Sequence, residues 1–233
     1  MFNEPDILHL DRTDMKRFAL YFAVGVAALA LGILLNVLIA PQPRQLAQPP
    51  TDLLQRGTAL SGQERPVAEF ALTDAQGAPF GNAELRGQWT YIFFGYTQCP
   101  DICPVTLQVM AEALRELERR QADREVQAVF VSVDPARDDN VKLKAYVEYF
   151  HPRMRGVSGD PEMLLRLTRP LGIIYNRTET PKDPDSYLVD HSAQVLVINP
   201  RGELAAVLPP PHDARLMAED LLRLRDYFGK QSS

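Results

Sequence analysis

Residues 89–104 read WTYIFFGYTQCPDICP, and their reading decides the fold. Trp89 to Gly95 is a continuous apolar run, suited to a central strand covered on both faces. Pro104 suits the first position of a helix, with Leu107, Met110, Leu114 and Leu117 behind it at three-to-four spacing. Cys99 and Cys103, the chain's two cysteines, therefore sit where a strand feeds a helix. Open α/β sheets place their sites at such junctions.

Outward from this stretch the pattern continues. Phe70 to Asp74 reads as a strand entering a turn at Ala75-Gln76-Gly77, and Val126 to Val133 as a second buried strand. Helices are expected from about Asp139 to Phe150 and around Pro161 to Leu171. Val195 to Ile198, a turn at Asn199-Pro200-Arg201-Gly202 and Leu204 to Leu208 make a hairpin, followed by a terminal helix from Asp213 to Phe228. The order β-α-β-α, then β-β-α, is that of an α/β thioredoxin-like fold, a central mixed sheet flanked by helices.

The N-terminal part is different. Phe18 to Ala40, FALYFAVGVAALALGILLNVLIA, carries no charge, and Asn36 is its only strongly polar side chain. About 20 helical residues span the ~30 Å hydrocarbon core of a bilayer, and a soluble helix would show a polar face that this run lacks. Residues 18–40 are thus expected to form a single transmembrane anchor. Arg12, Lys16 and Arg17 precede it and only Arg44 follows closely, so residues 1–17 are placed in the cytoplasm. The run is longer than a signal-peptide core, and Leu38-Ile39-Ala40-Pro41 is a poor cleavage site. Glu4, Asp6, Asp11 and Asp14 speak against a mitochondrial transit peptide. The expectation is a bacterial inner-membrane protein with a Pro/Gln-rich tether at 41–65 and a periplasmic domain at 66–233. A net charge of −5, with no run of Lys and Arg interleaved with aromatics, argues against nucleic acid as a partner.

The cysteine pair has three uses open to it: structural disulfide, redox couple or part of a metal site. Were the helix to start at or before Cys99, the two sulfurs at i and i+4 would share a face, within reach of a disulfide or of one metal ion. Spacing alone does not choose. A helix N-terminus favours the thiolate, which suits both nucleophilic attack and ligation, while Asp101 between the cysteines acts the other way. A purely structural bridge is permitted in the oxidising periplasm, but a loop this short removes little entropy from the unfolded chain.

A dithiol offers Cu(I) two soft ligands and usually needs a third, which directs attention to the four histidines. His9 precedes the apolar run. His151 and His212 read as surface-loop residues next to Pro152 and Pro211. His191, in Val189-Asp190-His191-Ser192-Ala193, comes just before the hairpin strand that in a thioredoxin-like fold runs beside the dithiol strand. An isolated loop histidine is ordinarily solvated or capped, and its expected neighbours make His191 the exception.

Several of these segments together resemble the Sco (SenC/PrrC) family of membrane-anchored copper proteins that assemble cytochrome c oxidase. They are Phe93-Phe94-Gly95-Tyr96-Thr97 running into Cys99-Pro100-Asp101-Ile102-Cys103-Pro104, then Val131-Ser132-Val133-Asp134-Pro135-Ala136-Arg137-Asp138, Gly156-Val157-Ser158-Gly159 and Asp190-His191-Ser192. The likeness runs from Phe70 to Phe228. It implies copper ligation by Cys99, Cys103 and His191, with Cu(I) and, in that family, also Cu(II). It further implies delivery of copper to the binuclear CuA site of cytochrome c oxidase subunit II, and other periplasmic copper chaperones or thiol-disulfide reductants as further partners.

The rival classes fit less well. Thioredoxin-type oxidoreductases use C-x-x-C, one residue shorter than this spacing, and their cis-proline has no counterpart in Asp190-His191-Ser192-Ala193-Gln194. A peroxiredoxin would need its threonine one place before Thr97 and a distant resolving cysteine. Reduction of a partner's disulfide by the Cys99/Cys103 dithiol remains the alternative activity. The loop Asp134 to Asp139 has two readings, a partner-docking element or an ordinary helix cap.

Overall fold

The computed structural model describes residues 12–39, 53–180 and 183–231, with side chains left undescribed at 12–16, 18–19, 33–39, 179–180, 183–186 and 231. The chain divides into two compact units, 1–45 and 46–233. The first holds α1 (Arg12–Ile39), whose described side chains from Leu20 to Gly32 are all exposed. Among residues with described side chains, no helix is long and apolar enough to cross a membrane. The expected anchor at 18–40 extends beyond those residues at both ends. His9 and the start of the expected tether lie outside the described residues.

The second unit begins with four short strands, β1 (Thr58–Ala59), β2 (Arg65–Pro66), β3 (Ala71–Asp74) and β4 (Pro79–Gly81), and the short helix α2 (Asn82–Leu85). The central units follow: β5 (Trp89–Gly95), α3 (Ile102–Arg119), β6 (Val126–Ser132), α4 (Asn140–Phe150), β7 (Met154–Ser158) and α5 (Pro161–Thr168). A hairpin, β8 (Tyr175–Thr180) and β9 (Asp183–His191), precedes β10 (Val195–Ile198), β11 (Glu203–Leu208) and α6 (Ala214–Gln231).

Nine strands form one mixed sheet in the order β1-β11-β10-β5-β6-β7-β3-β4, with β2 also on β11. β5 runs parallel to β6, and β6 to β7, the arrangement that crossover helices impose. β10 lies antiparallel to β5, with Leu196 opposite Ile92, as expected of a thioredoxin-like order. Alternation along each central strand splits the apolar side chains between two cores. Trp89, Tyr91 and Phe93 join α3, α4 and α6 on one face, while Ile92 and Phe94 join α5 and the β8–β9 hairpin on the other. Helix α3 presents Cys103, Leu107, Met110, Leu114 and Leu117 to the first core, each fully buried. Cys99 packs against both cores, at the C-terminal rim of β5.

Three expectations are corrected, and one hairpin is new. The segment 53–65, expected as tether, is packed into the second unit: Leu54 is buried and β1 and β2 pair with β11. Helix α3 starts at Ile102, two residues before Pro104, because a first-turn proline costs no intrahelical hydrogen bond. Helix α5 stops at Thr168, two residues short of Pro170, and the Thr168 hydroxyl donates back to the Leu164 carbonyl at 2.8 Å. The β8–β9 hairpin had no sequence signal, since residues 175–186 are mostly polar and include Pro181 and Pro184.

Candidate metal centre

Cys99 ends a turn in which its N–H donates to the Tyr96 carbonyl at 3.2 Å, ahead of α3. The two cysteines therefore do not share a helical face: Cys103 is in the first turn of α3 and Cys99 stands before it. Their closeness comes from the turn. First-turn amides of a helix have no acceptor within it, and those of Asp101 and Cys103 point at the Cys99 sulfur. The Tyr96 amide points at the Cys103 sulfur.

These contacts set the charge. The Cys103 thiol and the two amides together hold the Cys99 thiol well below its ordinary range despite partial burial. Its neighbour Cys99 and its own burial push the Cys103 thiol far up. Both cysteines are free thiols here. The pair thus shares one proton and one negative charge, with the charge favoured on half-buried Cys99 and the proton on buried Cys103.

Two residues that the sequence reading did not place in the site shape the pocket. Gly95 is needed because a Cβ there would stand 2.6 Å from the Cys103 sulfur and 2.9 Å from Phe130 Cε2. A glycine ending a strand is a known sign of close approach, so the signal was present. Asp138, 3% exposed, accepts from the Thr97 amide (2.9 Å), the Thr97 hydroxyl (2.6 Å) and the Ser132 hydroxyl (2.5 Å). It moors the cysteine turn to the end of β6. Capping of α4 falls instead to Asp139, which accepts from the Lys142 amide at 2.8 Å.

His191 is the last residue of β9 rather than part of a free loop, a correction to the sequence reading. Its Nδ1 lies 3.1 Å from the Ser192 carbonyl, which only accepts, so Nδ1 carries the proton and Nε2 presents its lone pair. Such a backbone anchor is typical of ligating histidines. Nε2 is 3.1 Å from the Cys103 sulfur. Phe93 and Tyr96 meet the ring edge-on, with centroids 5.7 Å and 6.1 Å away.

The ligand atoms of Cys99, Cys103 and His191 all lie within 4.8 Å of one another, a size that suits one ion. The other described histidines are elsewhere occupied. His151, expected on the surface, is 4% exposed and pairs its Nε2 with Glu118 at 3.4 Å. His212 donates from Nε2 to the Ala193 carbonyl at 2.9 Å.

Fold and site together define a mixed α/β domain with a Cys-Cys-His group at the rim of its central strand. The SCO1/SenC family model matches residues 58–226, and the chain belongs to that family. It is 37% identical over 170 residues to the mouse protein described as "Protein SCO2 homolog, mitochondrial", covering 72% of this chain. The match covers 66% of the mouse protein, so the chain spans just under two thirds of that relative's length. Among solved structures it resembles Arabidopsis thaliana ScoI with copper bound, at 31% identity and a TM-score of 0.64, covering 69% of this chain and 99% of that one. It likewise resembles Bradyrhizobium japonicum ScoI with copper bound, at 34% identity and a TM-score of 0.62, with the same coverage.

Proposed function

We propose that this protein is a copper chaperone that holds Cu(I) on the thiolates of Cys99 and Cys103 and on Nε2 of His191. The observation that carries the reading is the convergence of these three ligand atoms within 4.8 Å. Two thiolates and one imidazole make a soft, low-coordinate set that prefers Cu(I), and Cu(II) is the second state such a site takes. Copper is cargo here, and the chain's own residues govern its loading and release. Cys99 offers an ionised, half-buried sulfur to an incoming ion, while Cys103 gives up its proton as it ligates. Cys99 and His191 are both partly exposed, so a partner's ligands can replace them one at a time.

The acceptor in this reading is the binuclear CuA site of cytochrome c oxidase subunit II, with other periplasmic copper chaperones as the source. Residues 18–40 anchor the protein in the bacterial inner membrane, residues 1–17 are cytoplasmic and the copper domain is periplasmic. The apolar circumference of α1 supports this: Leu20, Tyr21, Phe22, Val24, Val26, Leu29 and Leu31 are all exposed, a surface that fits lipid. The test is competition of the reduced protein with a chromophoric Cu(I) chelator. One ion bound by the wild type, and its loss in Cys99→Ser/Cys103→Ser, is expected; equal binding by both proteins would remove the reading.

A second reading is favoured by the opposed states of the two thiols. The Cys99 thiolate can attack a partner disulfide, releasing one partner thiolate and forming a mixed disulfide. The Cys103 sulfur, on losing its proton, then displaces the second partner thiolate and leaves Cys99–Cys103 as a disulfide. The partner is reduced by two electrons, and a periplasmic thiol reductant must restore the dithiol. Incubation of copper-loaded protein with oxidised and with reduced subunit II fragments separates the two: transfer only to the reduced fragment supports the chaperone, and reduction without transfer supports the reductase.

A further inference from the structure

The third ligand rides on a hairpin that is not part of the main sheet. Among the described residues β8 and β9 pair only with each other, in a two-stranded sheet, with Tyr175 opposite His191. An isolated hairpin is marginally stable by itself, so its pose depends on what fastens it to the body. Tyr187, Val189 and His191 share one side of β9, because alternate residues of a strand point the same way. Tyr187 and Val189 are buried, while Leu188 between them is exposed.

The fastening converges on Arg137, in the loop after β6. Its Nη1 donates to the Tyr187 carbonyl at 2.9 Å, and its guanidinium lies over the Tyr187 ring at 3.5 Å from the centroid. Its Nε donates to Asp134, which also accepts from the Tyr187 hydroxyl at 2.7 Å. Arg177, from β8, lies over Tyr187 at 3.3 Å, so Arg137 and Arg177 both stack on that ring. Nη1 is also 3.4 Å from the side-chain oxygen of Gln98, the residue before Cys99. One planar guanidinium thus touches the cysteine turn, the carboxylate of Asp134 and the strand that ends in His191. A lysine could not make these contacts together, having neither the fork nor the flat face.

We propose that Arg137 is a positioning residue for the third ligand: through Tyr187 it fixes β9 so that His191 meets the dithiol. The clamp does not touch the ion. It rests on the reading of His191 as a copper ligand and sets how firmly that ligand is presented. Replacement of outer groups that orient a ligand typically costs about 10- to 100-fold in metal affinity.

The test is a double-mutant cycle on the reduced protein, with Cu(I) affinity read by chelator competition. Arg137→Lys, which leaves a cation beside buried Asp134, is expected to weaken binding about 10-fold in the wild type. In a His191→Ala background its effect is expected to shrink to less than about twofold. An equal loss in both backgrounds would mean general damage to the domain and would overturn the proposal. Tyr187→Phe, which removes only the hydroxyl bond to Asp134, takes the place of Arg137→Lys in the cycle if the latter does not fold. A metal-free readout judges the clamp separately. Amide hydrogen exchange at Val189 and His191 should quicken at least about 10-fold in Arg137→Lys, the effect of losing one charge-assisted hydrogen bond, with β5 and β6 unchanged. Unchanged exchange at those two amides refutes the clamp, whereas failure of the wild type to bind copper refutes the copper reading alone.

Discussion

The Cys103 sulfur and Nε2 of His191 meet at 3.1 Å although 88 positions separate them in the chain. Two independent structures bring them there. Cys103 is fixed by the first turn of α3 and by the space that Gly95 leaves open. His191 is fixed by the end of β9 and by the Ser192 carbonyl at its Nδ1. The carbonyl fixes a proton on Nδ1 and leaves Nε2 as the nitrogen that faces sulfur, the arrangement the proposed copper site requires.

Gly95→Ala tests the first of these supports. The added methyl would stand 2.6 Å from the Cys103 sulfur, far inside contact distance, and Phe130 blocks retreat on the other side. Overpacking of this kind costs about 1–3 kcal/mol. Urea unfolding should show that loss, and Cu(I) competition should show weaker binding because Cys103 is displaced. A variant with unchanged stability and affinity would mean that Cys103 has room to spare.

The charge state of the dithiol gives a pH prediction. A ligating sulfur must be a thiolate, so every thiol proton still present is released on binding. Cys99 is held below its ordinary range and is already ionised between pH 6 and 8, whereas Cys103 is pushed up and still protonated there. Apparent Cu(I) affinity should therefore rise by about one order of magnitude per pH unit in that window. Competition titrations across the window check it. A rise of two orders per unit would mean that a second ligand, thiol or imidazole, also starts protonated, and a flat profile that none does.

The central strands were legible because each is an apolar run that only a two-sided core can bury. Trp89–Gly95 has the expected bounds, and the second strand differs by one residue at Val133. The site was legible in its residues and less so in its supports. Cys99, Cys103 and His191 could be proposed from chemistry and element order, but not the reason His191 stays near sulfur. That reason lies in a polar hairpin whose strands carry no apolar alternation and whose hold on the body is a stacked arginine. The tether was read too long because Gln55 and Arg56 look solvated in sequence, while it is their backbone amides that are used.

Asp138 carries a third prediction. Its buried carboxylate accepts three hydrogen bonds, two of them from Thr97, two residues before Cys99. A hydrogen bond to a charged group contributes about 1.5–3 kcal/mol, so Thr97→Val, which removes one and keeps the amide bond, should lower stability by about that amount. The cysteine turn should also loosen. The Cys99 thiol is expected to alkylate at a changed rate in Thr97→Val while Cys103 stays protected by burial, and mass mapping of the labelled sites reads this directly. Identical labelling and stability in both proteins would show that Asp138 does not moor the turn.

The packed segment before Pro66 makes the last prediction. Leu54 is 8% exposed, and the amides of Gln55 and Arg56 donate to Asp220 at 2.8 Å and 3.3 Å. Asp220 is 1% exposed, and its burial raises its carboxyl above the usual range even with those two donors. A fragment starting at Pro66 loses the Leu54 burial, worth about 1.5–3 kcal/mol, and leaves a buried carboxyl without its two amides, worth about 1–3 kcal/mol more. It also strips β1 from the β11 edge, where Thr58 pairs with Val207. Compared with a fragment starting at Leu53, it should be less stable by about 3–5 kcal/mol in urea unfolding. Asp220→Asn should recover part of that difference in the shorter fragment, because an amide costs less to bury than a carboxylate. Equal midpoints for the two fragments would return residues 53–65 to the role of a tether.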